Sequence, residues 1–218
     1  MTRKVVTRTP HREVGIVNAS WLLDHEIEHE SHLEKRFIMI ALSCPVVRDI
    51  VHQPFEIWLG PDKTQKYTPD FLITLADGSK VVIEVKPEVF LDENKARLDA
   101  AKIHLSGLGY PFLVVTDKHI DAHGLSSRAL LLMRYGRLFI SESETLECRR
   151  LLEEQFKGSA SVKALVEQGA SESAIWNLVA THQFRVPAGL SLSESETVYI
   201  NHREEDCHAF ICTWFGVA

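Results

Sequence analysis

Apolar residues run through the first half of the chain in short alternating stretches, flanked and followed by stripes at helical spacing. Phe71 to Leu75 and Lys80 to Lys86 are β-branched and apolar runs bounded by turn residues, so both read as strands around a tight turn at Asp77-Gly78. Side chains alternate along a strand, which puts Glu84 and Lys86 on one face. Loop length decides where Asp70 points. A two-residue turn would set Asp70 opposite Val85. A three-residue loop, Ala76-Asp77-Gly78 with Gly78 left-handed, pairs Leu75 with Ser79 and Asp70 with Glu84. The second register is the expectation. It gathers Phe71, Ile73, Leu75, Val81, Ile83 and Val85 on one dry face and projects Asp70, Glu84 and Lys86 from the other.

Around this hairpin the spacing predicts helices. Leu33, Phe37, Ile40 and Ala41 form a stripe on a helix predicted from about Leu22 to Leu42; Glu34 sits beside it and Glu30 one turn earlier on the same side. Asp92 is the expected cap of a helix to about Leu108, with Ala96 or Leu98, Ala101 and Leu105 inward and Gly109 ending it. The apolar strand Phe112 to Thr116 follows, and strand, helix, strand predicts a right-handed crossover onto a parallel neighbour. Phe55 to Leu59 reads as a further strand, Leu125 to Tyr135 as a helix, and Arg137 to Ile140 as a short extended piece.

From about Ser141 the pattern changes. Helical stretches at 143–156, 161–168 and 171–183 are split by Gly158 and Gly169, and strand-like pieces follow at 197–201 and 208–215. Three helices and a β wing predict a winged-helix-like α+β module. The expected organisation is an arm at 1–20, an α/β core domain at 21–140 and a small second domain at 141–218.

Charge changes how that module reads. The chain holds 24 basic and 30 acidic residues; residues 141–218 contain 6 and 12 of these, leaving 18 of each in the first 140. An acidic module repels phosphate and suits a protein partner, so DNA binding through the helix starting at Ser171 is not expected. Trp176, Phe184, Trp214 and Phe215 are candidate partner-binding anchors, although helical and strand spacing already accounts for them as core. DNA-contact candidates are Arg3, Lys4, Arg8 and Arg12 in the arm, with Lys95 and Lys102 on the 92–108 helix. No apolar run is long enough to span a bilayer, and the N-terminus lacks a signal-peptide core, so the expected location is cytoplasmic. Cys44, Cys148, Cys207 and Cys212 form no C-x-x-C pair and read as buried or idle thiols.

Two facing carboxylates raise each other's pKa unless a cation lies between them, and a hard divalent ion such as Mg2+, with Mn2+ as substitute, resolves this most simply. Such an ion polarises a phosphodiester and acidifies a bound water, while Lys86 orients that water or offsets developing charge. Glu34 or Glu30 is the candidate third ligand. A competing motif, His25-Glu26-Ile27-Glu28-His29, spells the H-E-x-x-H of zinc proteases. Its surroundings are dense in charge and lack the apolar frame that such a helix needs.

Taken in order, Glu30-Ser31-x-Leu33-Glu34, Gln53-Pro54-Phe55, Thr68-Pro69-Asp70-Phe71, Glu84-Val85-Lys86-Pro87 and Val114-Val115-Thr116-Asp117 resemble TnsA, the endonuclease subunit of Tn7-like heteromeric transposases. The resemblance covers most of residues 1–120. It implies a restriction-endonuclease-like PD-(D/E)xK core, a mixed sheet with flanking helices, with Glu34, Asp70, Glu84 and Lys86 at the family's catalytic positions. The implied reaction is a magnesium-dependent cut of double-stranded DNA near the transposon's 5′ ends, on the strand that is not transferred. A TnsB transposase handles the other strand, and a TnsC AAA+ ATPase, engaged by the second domain, links both to target choice. CRISPR-associated transposons include short members of this length, and assembly would place the protein at the nucleoid. A stand-alone restriction or repair nuclease and a catalytically silent assembly adaptor are the competing readings. Because the first 140 residues are neutral, weak cleavage without partners is expected.

Overall fold

The computed structural model describes residues 14–60, 62, 64–201 and 206–217. Arg3, Lys4, Arg8 and Arg12, the expected DNA-contacting arm, lie outside these residues. A two-stranded antiparallel ribbon, β1 (Gly15–Val17) and β2 (Ile27–His29), precedes helix α1 (His32–Leu42). The helix is shorter than its apolar stripe predicts. Pairing with β1 holds 27–29 extended, and Ser31, with φ −155°, caps the helix by accepting the Glu34 N–H. Glu30 therefore lies outside the helix, not one turn up its face.

Strand β3 (Val47–His52) and the small hairpin β4 (Ile57–Leu59) and β5 (Gln65–Tyr67) lead to β6 (Phe71–Leu75) and β7 (Lys80–Val85). Helix α2 (Leu91–Gly107) then connects β7 to β8 (Phe112–Val115). The sheet order is β3-β6-β7-β8, antiparallel except for the parallel β7–β8 pair that the strand-helix-strand pattern anticipates. Leu98, Ala101 and Leu105 are the inward residues of α2 and Ala96 is exposed. The α2 N-cap is Phe90, preceded by a 3-10 turn, so Asp92 sits in the first turn and not at the cap. A short α3 (Asp117–Asp121) and α4 (Leu125–Gly136) follow, and 137–140 turn without forming a strand.

The remainder comprises α5 (Glu142–Arg150), a π-turn at Leu151–Gln155, β9 (Ser159–Ser161), α6 (Val162–Glu167), α7 (Glu172–Ala180), β10 (Phe184–Arg185), β11 (Thr197–Ile200) and α8 (Cys207–Phe215). β10, β11 and β9 form a three-stranded antiparallel sheet. The strand expected at 208–215 is a helix. Asp206 caps it through the Ala209 N–H, and Gly216 ends it at φ +66°, the left-handed conformation that glycine adopts without strain.

These elements give a mixed α/β architecture with a mixed central sheet and several helices, as nuclease-type folds have. One continuous core runs from Val17 to Phe215 and covers one face of the sheet with Phe71, Ile73, Leu75, Val81, Ile83 and Val85. Phe37 of α1 stacks on Phe71 at 5.0 Å and on Phe215 of α8 at 5.1 Å, and Trp214 Nε1 donates to the Ile40 carbonyl at 3.1 Å. A smaller cluster on the opposite face joins Val82 to Tyr67 and to Leu98, Ala101 and Leu105 of α2.

Candidate active site

The hairpin has the three-residue loop. Leu75 N donates to Ser79 O at 2.8 Å, Gly78 takes φ +85°, and Phe71 pairs with Ile83. The next position outward sets Asp70 across from Glu84, on the face away from the large core. Asp70 is fixed through both its backbone and its side chain. Its carbonyl accepts the Gln53 N–H at 2.8 Å, and its side-chain Oδ2 accepts the Val85 N–H at 2.8 Å.

Glu84 is almost completely buried at 5 % exposure, an unusual place for a carboxylate with no function or partner. Two groups hold it. The Tyr67 hydroxyl donates to Oε2 at 2.5 Å, and Lys86 Nζ lies 3.0 Å from Oε1. Tyr67 is itself buried, and burial followed by the neighbouring Glu84 charge pushes its phenol well up, so it acts as a neutral donor. The Arg97 guanidinium of α2 lies 5.3 Å from the Tyr67 ring centre. Asp70 is less well served: burial, then the charge of Glu84, drives its pKa well above the aspartate range, with a further push from Glu34. The Val85 N–H and Lys86 oppose this without reversing it.

Glu34 belongs to the same electrostatic neighbourhood but is held differently. Its Oε2 accepts the Glu30 N–H at 2.7 Å, Oε1 accepts the Ser31 hydroxyl at 2.9 Å, and the buried His52 ring lies 3.7 Å away. Burial works against its charge, yet hydrogen bonds from His52, the Glu30 N–H and Ser31 leave its pKa below the usual glutamate value. Glu34 is thus tied to the N-terminus of α1, its N–H held by the Ser31 hydroxyl and its carboxylate accepting from Ser31 and the Glu30 N–H, while its charge acts on Asp70. Glu30 is engaged by Gln53 Nε2 at 3.2 Å. Gln53 has φ +43° and donates its N–H to the Asp70 carbonyl, and its side-chain Oε1 is buried with no hydrogen-bond partner among the described residues.

Asp70, Glu84 and Lys86 are therefore brought together as the pattern predicts, with Glu34 beside them. Tyr67, His52 and Gln53 were not among the predicted site residues, although Tyr67 opens the Tyr67-Thr68-Pro69-Asp70 stretch and Gln53 the Gln53-Pro54 pair. Their only signal was polar groups at the ends of apolar strands. Lys95 is exposed and paired to Asp99 at 2.8 Å, and it lines, with Lys102, Lys118 and His119, a groove of about 540 Å³ between α2 and β8. Asp70, Glu84 and Lys86 do not line that groove. Trp176, Phe184, Trp214 and Phe215 are all buried, and as core residues they present no surface for anchoring a partner.

The H-E-x-x-H segment is not helical. His25 Nε2 lies 2.7 Å from Asp49 Oδ1, and His29 sits in β2, so the two imidazoles do not share a helix face and the zinc reading fails. The four cysteines are free thiols, Cys44, Cys148 and Cys207 of them buried; burial pushes Cys44 up to about 12. For a hard cation, the donor chemistry at Asp70 and Glu84 fits: both ligands are oxygen, and a cation there would favour the ionised Asp70 that burial and the Glu84 charge disfavour. Among the described residues no three His, Cys, Asp or Glu side chains converge as a ready cage. Such an ion would thus need water and phosphate oxygens to complete its shell.

Part-buried Asp70 and buried Glu84 sit beside Lys86 at one end of the two central strands of a mixed sheet, a donor set that suits a hard cation next to a phosphodiester. The comparison with known families agrees: residues 44–117 match the family described as TnsA-like endonuclease N terminal. Over this span, which contains Asp70, Glu84 and Lys86, the chain is similar to TnsA-like endonuclease N-terminal domains. No curated protein matches the chain. Among the described residues no helix is long and apolar enough to cross a membrane.

Proposed function

We propose that this protein is the metal-dependent DNA endonuclease of a Tn7-like cut-and-paste transposition system. It cuts the non-transferred strand at the transposon's 5′ ends, working with a TnsB-like transposase and a TnsC-like AAA+ ATPase. The observation that carries the reading is the convergence of Asp70, Glu84 and Lys86 on one end of β6 and β7, inside the TnsA-like span. In this reading the core is of the PD-(D/E)xK type, and residues 141–218 form a winged-helix-like acidic module that docks a protein partner.

Asp70 and Glu84 would hold Mg2+, with Glu34 as the third carboxylate. When bound, the ion supplies Lewis acidity toward the scissile phosphate and a more acidic water. The protein's own contribution is geometric and electrostatic. The Val85 N–H orients Asp70, the Tyr67 hydroxyl orients Glu84, and Lys86 is placed to offset negative charge as it develops on phosphate.

The test is a reconstituted reaction on transposon-end DNA labelled separately on each strand, with both partners and Mg2+. Asp70→Ala is expected to abolish the 5′ cut while the transposase still cuts the other strand. Full nicking by that variant sinks the assignment.

A further inference from the structure

Glu84 is held by two unlike donors, an ammonium and a phenol. Lys86 is a quarter exposed and can move away when a stronger cation arrives. Tyr67 cannot follow. Its main chain is paired to Ile57 in the β4–β5 hairpin, its ring meets the edge of Phe112 at 6.5 Å, and Arg97 covers its face while donating to the Lys66 carbonyl at 3.3 Å. Only 2 % of Tyr67 is exposed. Oε1 is thus the exchangeable oxygen of Glu84, and Oε2 is tethered to a rigid point of the fold.

We propose that Tyr67 is a positioning residue that fixes the Glu84 carboxylate for divalent-cation binding, with Arg97 of α2 fixing Tyr67 in turn. The proposal rests on the endonuclease reading for the identity of the site. A partner that orients a ligating carboxylate without touching the ion commonly sets affinity within a factor of about 10 to 100.

The experiment measures Mn2+ binding to the full chain by electron paramagnetic resonance, without DNA, for the wild type, Tyr67→Phe, Glu84→Gln and the double variant. Phenylalanine keeps the ring, its packing and the Arg97 contact and removes only the hydroxyl, and melting curves monitor folding. The expected result is a 10- to 100-fold weaker Mn2+ affinity for Tyr67→Phe. On the Glu84→Gln background the same substitution should have no further effect, because Tyr67 acts through Glu84. In cleavage assays the Tyr67→Phe loss should appear as a raised Mn2+ requirement, with most of the rate recovered at saturating ion.

Wild-type affinity in Tyr67→Phe, or an equal loss on the Glu84→Gln background, overturns the positioning role while leaving the endonuclease reading intact. If Tyr67→Phe unfolds, Arg97→Leu takes its place and is expected to weaken Mn2+ binding to a smaller degree; unchanged binding there overturns the proposal. A wild-type protein that binds no Mn2+, either alone or with transposon-end DNA present, overturns both readings.

Discussion

The two faces of the central sheet are built on different terms. One face is dry: six alternating side chains of β6 and β7 pack into a core that continues through Phe37 and Phe215. The other face carries a smaller apolar cluster under α2, and at its edge Asp70, Glu84, Tyr67 and Lys86 replace hydrocarbon with polar groups. Volume and shape specify the first face. On the second, each polar atom must find a partner, and Asp70 is left short of one for its charge. Stability is concentrated where no chemistry occurs, and the site is built where the fold gives some of it up.

The largest expected effect breaks the polar face alone. Asp70→Ala should lower 5′-strand cleavage by about 10²- to 10³-fold or more, the lower bound being what loss of one electrostatic stabiliser commonly costs, measured as single-turnover nicking with partners present. The counterpart on the dry face is Phe215→Ala. Deleting a buried aromatic costs about 3–5 kcal/mol, so urea unfolding should show a loss of that size, and activity should fall only as far as the folded fraction falls.

A third substitution sharpens the contrast by separating function from stability. The Asp70 pKa is raised in the fold above the ordinary 3.8, so its ionisation destabilises the metal-free protein progressively as pH rises from that value through the folded pKa. Asp70→Asn removes this cost. It should melt higher than the wild type at pH 7 in EDTA, by about 2–4 °C for each kcal/mol relieved, and match it below about pH 3.8. Equal melting temperatures at neutral pH would show that the carboxylate is not strained.

Glu34 has the opposite sign. Its folded pKa is depressed, so the stability it contributes is present above the ordinary glutamate value of 4.5 and is lost as pH falls through the folded pKa. In Glu34→Gln that acid-side loss should flatten. The smallest effect is Ser31→Ala, which removes the α1 cap and should cost about 1 kcal/mol in thermal unfolding.

The register of the β6–β7 hairpin was legible in the sequence because a glycine at the third loop position and a period of two leave few alternatives. That register alone places Asp70 across from Glu84. Less was legible where local and tertiary signals disagree. The 207–215 stretch is rich in residues that favour strands, yet Cys207, Ile211, Trp214 and Phe215 recur at helical spacing between Asp206 and Gly216, a start and a stop signal for a helix. The start of α1 was obscured because Ile27–His29 pairs with a ribbon that the apolar stripe does not reveal, and β3 was missed altogether. Tyr67 was not assigned to the site because its role depends on a hairpin turning it toward Glu84 from a separate small sheet, a relation that no local pattern encodes.

The bond from Trp214 to Ile40 joins residues 174 positions apart. At ordinary elongation rates of about 5–20 residues per second, roughly 10 to 35 seconds separate the synthesis of α1 from that of the helix that packs beneath it. During that interval the element carrying Glu34 lacks its floor. A ribosome-bound chain can already contain Glu34, Asp70, Glu84 and Lys86 and still be unable to hold them in their final arrangement.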